Sequence, residues 1–307
     1  MGGKRLSLKF FGITLGLVAS LLLTGCSEDS SQPKGNESGE TVSIGEQVDY
    51  QIIGIEPGAG VTELSNNTLK EYENLNGWEL VESSTAGMLS SLKQAIQNKE
   101  PIIITGWTPH WKFLAYDLKI LDDPKGVLGG LENINTFVRK GLENDLPEAY
   151  KILDRFYWEP EDMEAVMHDA QNASFEDAAM NWMKVNQDRV DEWTKDINKV
   201  DGKAFDLVSM PWDSERASSS VMKGVLEQVG YDVTVTPVDP AMLFQAIATG
   251  EADATLAPWL PSTHGSFYEK VKKDVVDLGA NLKGTQVGFV VPSYVEIDSI
   301  EDLQPKK

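Results

Sequence analysis

Two stretches of the chain repeat each other. The first carries Met88-Leu89, Gln94-Ala95-Ile96 and Ile104-Thr105-Gly106-Trp107-Thr108-Pro109-His110. The second carries Met242-Leu243-Phe244-Gln245-Ala246-Ile247, then Leu256-Ala257-Pro258-Trp259-Leu260-Pro261, with His264 beyond. Each reads as an amphipathic helix, a short turn, an apolar strand, then Trp-x-Pro and a histidine. A doubled helix–strand unit calls for two similar lobes. In an open α/β sheet the carboxyl ends of strands are where ligands bind. Two such lobes facing each other would make a cleft with an indole wall from each side.

The flanking pattern is α/β on both sides. Val48–Ile55 reads as a buried strand running into the Gly-rich turn Glu56-Pro57-Gly58-Ala59-Gly60-Val61, followed by a helix from Glu63 to Leu75. Trp78–Glu82 is a second strand, Ser83-Ser84-Thr85 caps a helix from Ala86 to Gln97, and Pro101–Gly106 is a third strand whose isoleucines fit burial on both faces. The last third alternates again: strands at Phe205–Met210, Tyr231–Thr236, Ala254–Ala257, Val275–Leu278 and Gln286–Val291, with helices at Ala217–Val229 and Pro240–Thr249. This alternation predicts βαβ units and a mainly parallel sheet. The middle, Leu131–Lys199, reads as helical, with strong runs at Glu161–Gln171 and Phe175–Lys195; its Trp158, Trp182 and Trp193 read as packing residues.

The N-terminus reads as a targeting segment. Lys4, Arg5 and Lys9 precede an apolar run, Phe10–Leu23, that is too short for an ordinary membrane span. It ends in Leu23-Thr24-Gly25-Cys26. These four residues resemble a bacterial lipobox, which implies a signal peptide over residues 1–25, cleavage before Cys26 and lipidation of its sulfur. The alternative is an ordinary secretory signal with a chance cysteine. Cys26 is the single cysteine of the chain and so has no disulfide partner. Residues 27 to 44 are rich in Ser, Glu and Gly, a composition that cannot bury a core. Residues 26–44 therefore read as a disordered tether joining a membrane anchor to a globular body. The formal net charge of −21 becomes about −24 without the leader, which speaks against a nucleic-acid partner.

Trp107, Trp212 and Trp259 each directly follow an apolar strand. Singly, each reads as core. Together, at equivalent places, they read as a cage. An indole face is the best aromatic partner for a cation, worth about 0.5–2 kcal/mol per face. A quaternary ammonium has no N–H to donate, so a ring of indoles suits it, and on this reading the cage needs no carboxylate. The Gly58–Val61 turn at a helix N-terminus offers free backbone N–H groups, an anion site in principle. His264, five residues after Trp259, offers a further donor; His110 stands at a similar place in the other repeat and is the weaker candidate. A cage for N⁺ beside a nest for COO⁻ describes a small zwitterion such as a betaine.

On these residues the chain resembles the glycine betaine-binding lipoproteins of bacterial ABC importers. The matching stretches are Ile53–Gly60, Ile102–Trp111, Leu121–Pro124, Trp212–Glu215 and Trp259–His264, within a likeness covering about residues 48–304. The resemblance implies a two-lobed periplasmic-binding-protein fold of type II character with a hinge between the lobes. It implies that Trp107, Trp212 and Trp259 cage the ammonium, while the backbone N–H groups of Gly60 and Val61, with His264, hold the carboxylate. Pro258 stands where relatives more often carry a small residue. The order of the halves is expected to be circularly permuted, with one lobe of residues 45–116 plus 284–307 and the other of residues 117–283. The implied partners are glycine betaine or a similar small zwitterion, the permease and ATPase subunits of an importer, and a membrane reached through the lipid anchor. The implied location is extracytoplasmic. No cofactor or metal is implied.

Two other readings stay open. A binding protein for another quaternary ammonium solute, such as proline betaine, carnitine or choline, fits the same cage. An exported enzyme fits poorly: the chain has no Gly-x-Ser-x-Gly, no His-Glu-x-x-His and three scattered histidines.

Overall fold

A computed structural model describes residues 42–307. The expectations for the signal peptide, for Cys26 and for the tether up to residue 41 lie outside the described residues. At the tether's end, Ser43 caps a short helical turn, Ile44–Gln47.

Ten strands form one mixed sheet. They are β1 (Gln51–Ile53), β2 (Glu79–Val81), β3 (Ile104–Thr108), β4 (Leu118–Ile120), β5 (Leu131–Arg139), β6 (Lys203–Ser209), β7 (Tyr231–Pro237), β8 (Ala254–Thr255), β9 (Trp259–Leu260) and β10 (Val275–Pro292). The order is β2-β1-β3-β10-β5-β8-β6-β7, with β4 on β10 and β9 on β5. Each half holds a parallel core, β2-β1-β3 in one and β7-β6-β8 in the other. Their helices follow from the sequence as expected. Ser84 caps Thr85–Asn98, and Gly250, with φ of +78°, ends Pro240–Thr249 after the helix's last apolar residues.

The sheet is nevertheless not mainly parallel. The two predicted strands at Val275–Leu278 and Gln286–Val291 are one 18-residue strand, β10, and it runs antiparallel to β3, β4 and β5. Its first part pairs with β5 and its end with β3 and β4, so this one strand stitches the halves together. Its register shifts three times between Asp277 and Thr285, and Gly279 and Gly284 there take φ of +93° and +80°. Only glycine enters that backbone region without strain, and such positions let a strand bend.

A second departure is β5, read from sequence as the start of a helical region. Its inward positions include the polar Glu132 and Thr136 beside Ile134, so a true two-residue alternation was hidden by side-chain chemistry. The rest of the middle is helical as expected, in the segments Leu142–Asp145, Pro147–Arg155, Pro160–Asp169, Phe175–Val185 and Gln187–Trp193. The run expected over Phe175–Lys195 is broken at Asn186. Trp158, Trp182 and Trp193 pack together there, with Trp182 and Trp193 stacked at 6.0 Å between ring centres and Trp158 edge-on to Trp182 at 5.7 Å. β4 was not foreseen. It pairs with Val290–Pro292 of β10 and so lies with the first half of the sheet, whereas the expected lobe boundary at 116 placed it in the second. The chain first reaches β5 at Leu131, just beyond Gly129-Gly130, and returns along β10 where Gln286 pairs with both Leu131 and Thr108.

Candidate functional site

The six residues singled out by sequence, Gly60, Val61, Trp107, Trp212, Trp259 and His264, line one pocket. The first half of the sheet contributes Ile55, Ala59, Gly60, Val61, Trp107 and Val287; the second contributes Trp212, Ser214, Glu215, Trp259, Thr263 and His264. Trp107 lies within β3 and Trp259 opens β9, so the repeat delivers one indole from each half. Both Trp-x-Pro units carry a cis peptide, at Thr108–Pro109 and Leu260–Pro261. Trp212 is the residue before the helix Asp213–Val229. Trp107 and Trp259 are 5% and 3% exposed, while Trp212 is half-buried at the pocket's edge.

The Gly-rich turn behaves as its composition suggested. The helix Gly60–Glu71 starts at Gly60, with Ala59 as an N-cap that has no side chain to cap it. Thr62 and Glu63 donate their N–H groups back to the Ala59 carbonyl. Gly60 and Val61 precede the first residue able to donate within the helix, and their N–H groups belong to the positively polarised end. A Cβ on Gly60 would stand 2.2 Å from the Thr263 carbonyl oxygen, so only glycine lets this turn meet the opposite wall.

His264 is fully buried, and its Nδ1 accepts the Trp259 backbone N–H at 2.9 Å. That bond leaves the proton on Nε2, which has no partner among the described residues. Burial pushes its pKa down to about 3, so the ring is neutral. A neutral donor aimed into a pocket wall is what a carboxylate would need. His110 repeats the arrangement: Nδ1 accepts the Lys112 backbone N–H at 3.2 Å and Nε2 lacks a partner among the described residues. It packs edge-on against Trp107 at 5.1 Å instead of lining the pocket.

Three carboxylates at or beside the cage escaped the sequence reading, which held that the cage needs none. Glu215, in the first turn of the helix after Trp212, is 3% exposed on the pocket wall. Its Oε1 accepts the Trp259 indole N–H at 2.7 Å and its Oε2 accepts the Ser214 hydroxyl at 2.7 Å. Burial raises its pKa to about 7 against the opposing pull of those hydrogen bonds. Glu56 accepts the Trp212 indole N–H at 3.2 Å and also the backbone and hydroxyl of Thr85; its pKa is lowered, the hydrogen bonds outweighing burial. Glu132 of β5 accepts the backbone N–H groups of Ser262 and Thr263 and the Thr263 hydroxyl, fixing the loop that carries His264. The pairing of Trp259 with Glu215 spans 44 residues, which no local pattern exposes.

Trp107 differs from its two partners. Its indole N–H has no acceptor among the described residues. Behind it lies Lys112, fully buried, whose Nζ donates to the Trp107 carbonyl at 3.1 Å and stands 4.6 Å from the ring centre. Burial drives the Lys112 pKa well below its usual value, with Asp213 and Glu164 pulling the other way. Among the described residues no group of three or more His, Cys, Asp or Glu is placed to hold a metal ion, and no helix is long and apolar enough to cross a membrane.

Comparison with known proteins gives a consistent result. The family described as the substrate binding domain of ABC-type glycine betaine transport systems matches residues 30–185 and 206–307. The glycine betaine/carnitine transport binding protein GbuC of Listeria monocytogenes serotype 1/2a is 46% identical over 267 residues, covering 86% of this chain and 89% of that protein. Among solved structures, lactococcal OpuAC in its closed-liganded conformation with glycine betaine is 54% identical over 50% of this chain and 62% of that one, with a TM-score of 0.47. A glycine betaine/L-proline-binding protein, ProX, from Borrelia burgdorferi is 36% identical over 50% of this chain and 58% of that one, with a TM-score of 0.45. Each of these two structural matches spans less than two thirds of the solved chain. With a family match across both halves and a relative aligned over nearly its full length, the chain belongs to the family of substrate binding domains of ABC-type glycine betaine transport systems.

Proposed function

We propose that this protein captures glycine betaine, or a closely related betaine, outside the cytoplasm and delivers it to the permease of an ABC importer. The observation that carries this reading is the pocket itself. Three indoles, the helix start at Gly60–Val61 and one neutral imidazole line a single pocket drawn from both halves of the sheet. The indole faces of Trp107, Trp212 and Trp259 suit a quaternary ammonium. The N–H groups of Gly60 and Val61 and the His264 Nε2–H suit a carboxylate. The name of the Listeria relative includes carnitine, so a second quaternary solute belongs in any test.

In this reading the halves are two lobes that close on ligand, in circularly permuted order, with the crossings near Gly129–Leu131 and along β10 rather than at residue 116. The lipobox-like Leu23–Cys26 supports anchoring of the mature chain through a lipid on Cys26, with residues 27–44 as the tether to the body. Permease and ATPase subunits are the partners implied for delivery. Titration of tryptophan fluorescence with glycine betaine, proline betaine, carnitine and choline tests the reading. Saturable quenching or enhancement by glycine betaine supports it, and the absence of any response to all four sinks it. Mass spectrometry of the membrane fraction with and without Cys26→Ala tests the anchor.

A further inference from the structure

We propose that Glu215 is a specificity-determining positioning residue, which acts through Trp259 to make the pocket select a positively charged head over an uncharged group of the same shape. This rests on the betaine reading above and extends it to a residue outside the indole cage and the carboxylate nest.

The argument starts from the cost of the group. A carboxylate 3% exposed on an apolar wall loses its hydration, and such a group is normally paired with a cation. No Lys, Arg or His forms an ion pair with Glu215 among the described residues. Its two oxygens are held by the Trp259 indole N–H and the Ser214 hydroxyl, both neutral donors. Once ionised, Glu215 is therefore a buried negative charge without a cationic partner among the described residues, and its natural counter-ion is what enters the pocket. The same hydrogen bond has a second consequence. A carboxylate accepting an indole N–H in the ring plane pushes electron density toward the ring, and charge-assisted bonds of this kind are about twice as strong as neutral ones. A more electron-rich indole binds a cation on its face more tightly. Glu215 thus fixes the plane of Trp259, strengthens its face and contributes direct attraction. Glu56 does the same for Trp212 from a more exposed position, so the charge selectivity is concentrated at Glu215.

The test compares glycine betaine with its carbon isostere 3,3-dimethylbutyrate, which keeps the shape and carboxylate but has no charge on the head. Calorimetric affinities for both are measured in wild-type protein, Glu215→Gln and Ser214→Ala. Gln keeps an acceptor for Trp259 and removes the charge. The expected result is a fall of at least tenfold in the betaine-to-isostere affinity ratio for Glu215→Gln. Ser214→Ala keeps Glu215 and deletes one donor to its carboxylate; a smaller fall in the same ratio is expected, and this variant serves if the first does not fold. A purely structural role would weaken both ligands equally and leave the ratio unchanged, which would overturn the proposal. If wild-type protein binds no betaine, the functional reading falls and this proposal falls with it. If wild-type protein binds and the ratio is unmoved in the variants, this proposal falls alone.

Discussion

The indole N–H of Trp111 donates to the Asp213 carboxylate at 2.8 Å, joining the segment after β3 to the helix that follows β6. Trp212, next to Asp213, returns the gesture by donating to Glu56 after β1 at 3.2 Å. The two bonds run in opposite directions between the halves of the sheet and flank the pocket. Each pairs a neutral donor with a charged acceptor, a class worth about 1.5–3 kcal/mol. They link the halves beside the pocket, and the Trp212 indole also lines it.

Trp111→Phe deletes one of these bonds and keeps an aromatic ring. It should speed betaine dissociation by roughly tenfold or more, the lower end of that energy range, while leaving the association rate within about twofold. Stopped-flow fluorescence measures both rates. An unchanged dissociation rate would show that the bond does not hold the closed form.

Replacing a cage indole should cost affinity, and replacing a core indole should cost stability. Trp107→Ala and Trp259→Ala should each weaken betaine binding by about tenfold or more, given the value of a desolvated cation–π face. Trp182 stacks on Trp193 far from the pocket lining. Trp182→Ala should lower stability by about 3–5 kcal/mol and leave affinity nearly intact. Denaturant melts and fluorescence titrations of the three variants separate the two effects; a Trp182→Ala protein that folds but fails to bind would contradict the division.

Gly60→Ala adds a single methyl group that would meet the Thr263 carbonyl oxygen at 2.2 Å. A backbone atom cannot step aside cheaply, so the turn and the His264 loop must separate. The expected outcome is loss of high-affinity binding with little change in thermal stability of the ligand-free protein, followed by small-angle scattering with and without betaine. Wild-type affinity in this variant would rule out the close approach as a requirement for binding.

Stability should depend on pH through groups buried in and beside the site. His264 is held near a pKa of about 3, and His110 is also pushed well down by burial and by nearby Lys112, whereas unfolded histidines titrate near 6.5. The unfolded chain therefore binds more protons, so their contribution is present above about pH 6.5 and is lost as pH falls below it. Glu215 has the opposite sign. Its folded pKa of about 7 exceeds the ordinary 4.5, so the folded protein gains stability as pH falls from about 7 toward 4.5. Removing that titration in Glu215→Gln should improve stability at pH 8 relative to pH 4.5 by roughly 3 kcal/mol compared with wild type. Thermal melts of both proteins from pH 4.5 to 8 check this; parallel curves would mean that Glu215 is not held in its raised state.

Much of the site was legible in the chain because its signals are local. Trp107, Trp212 and Trp259 sit directly beside apolar strand runs, and Gly58-Ala59-Gly60 announces a helix start at the end of one. The α/β class and the pairing of two similar units follow from periodicity and repetition, which act over a few residues at a time. What sequence left hidden depends on burial and on distant neighbours. Glu132 looks polar and solvent-facing until the loop from Ser262 to Thr263 supplies its partners, and Thr136 until the Asn281 amide of β10 donates to its hydroxyl at 3.1 Å. Glu215 looks like a helix-end acid until the Trp259 indole reaches it from 44 residues away. The single strand β10 looks like two because its glycines at 279 and 284 bend it. By itself the sequence picked out the residues that line the pocket. Only the tertiary structure decided that both halves close on one pocket and that a buried carboxylate backs one of its walls, because desolvation and long-range hydrogen bonds exist only once the chain is packed.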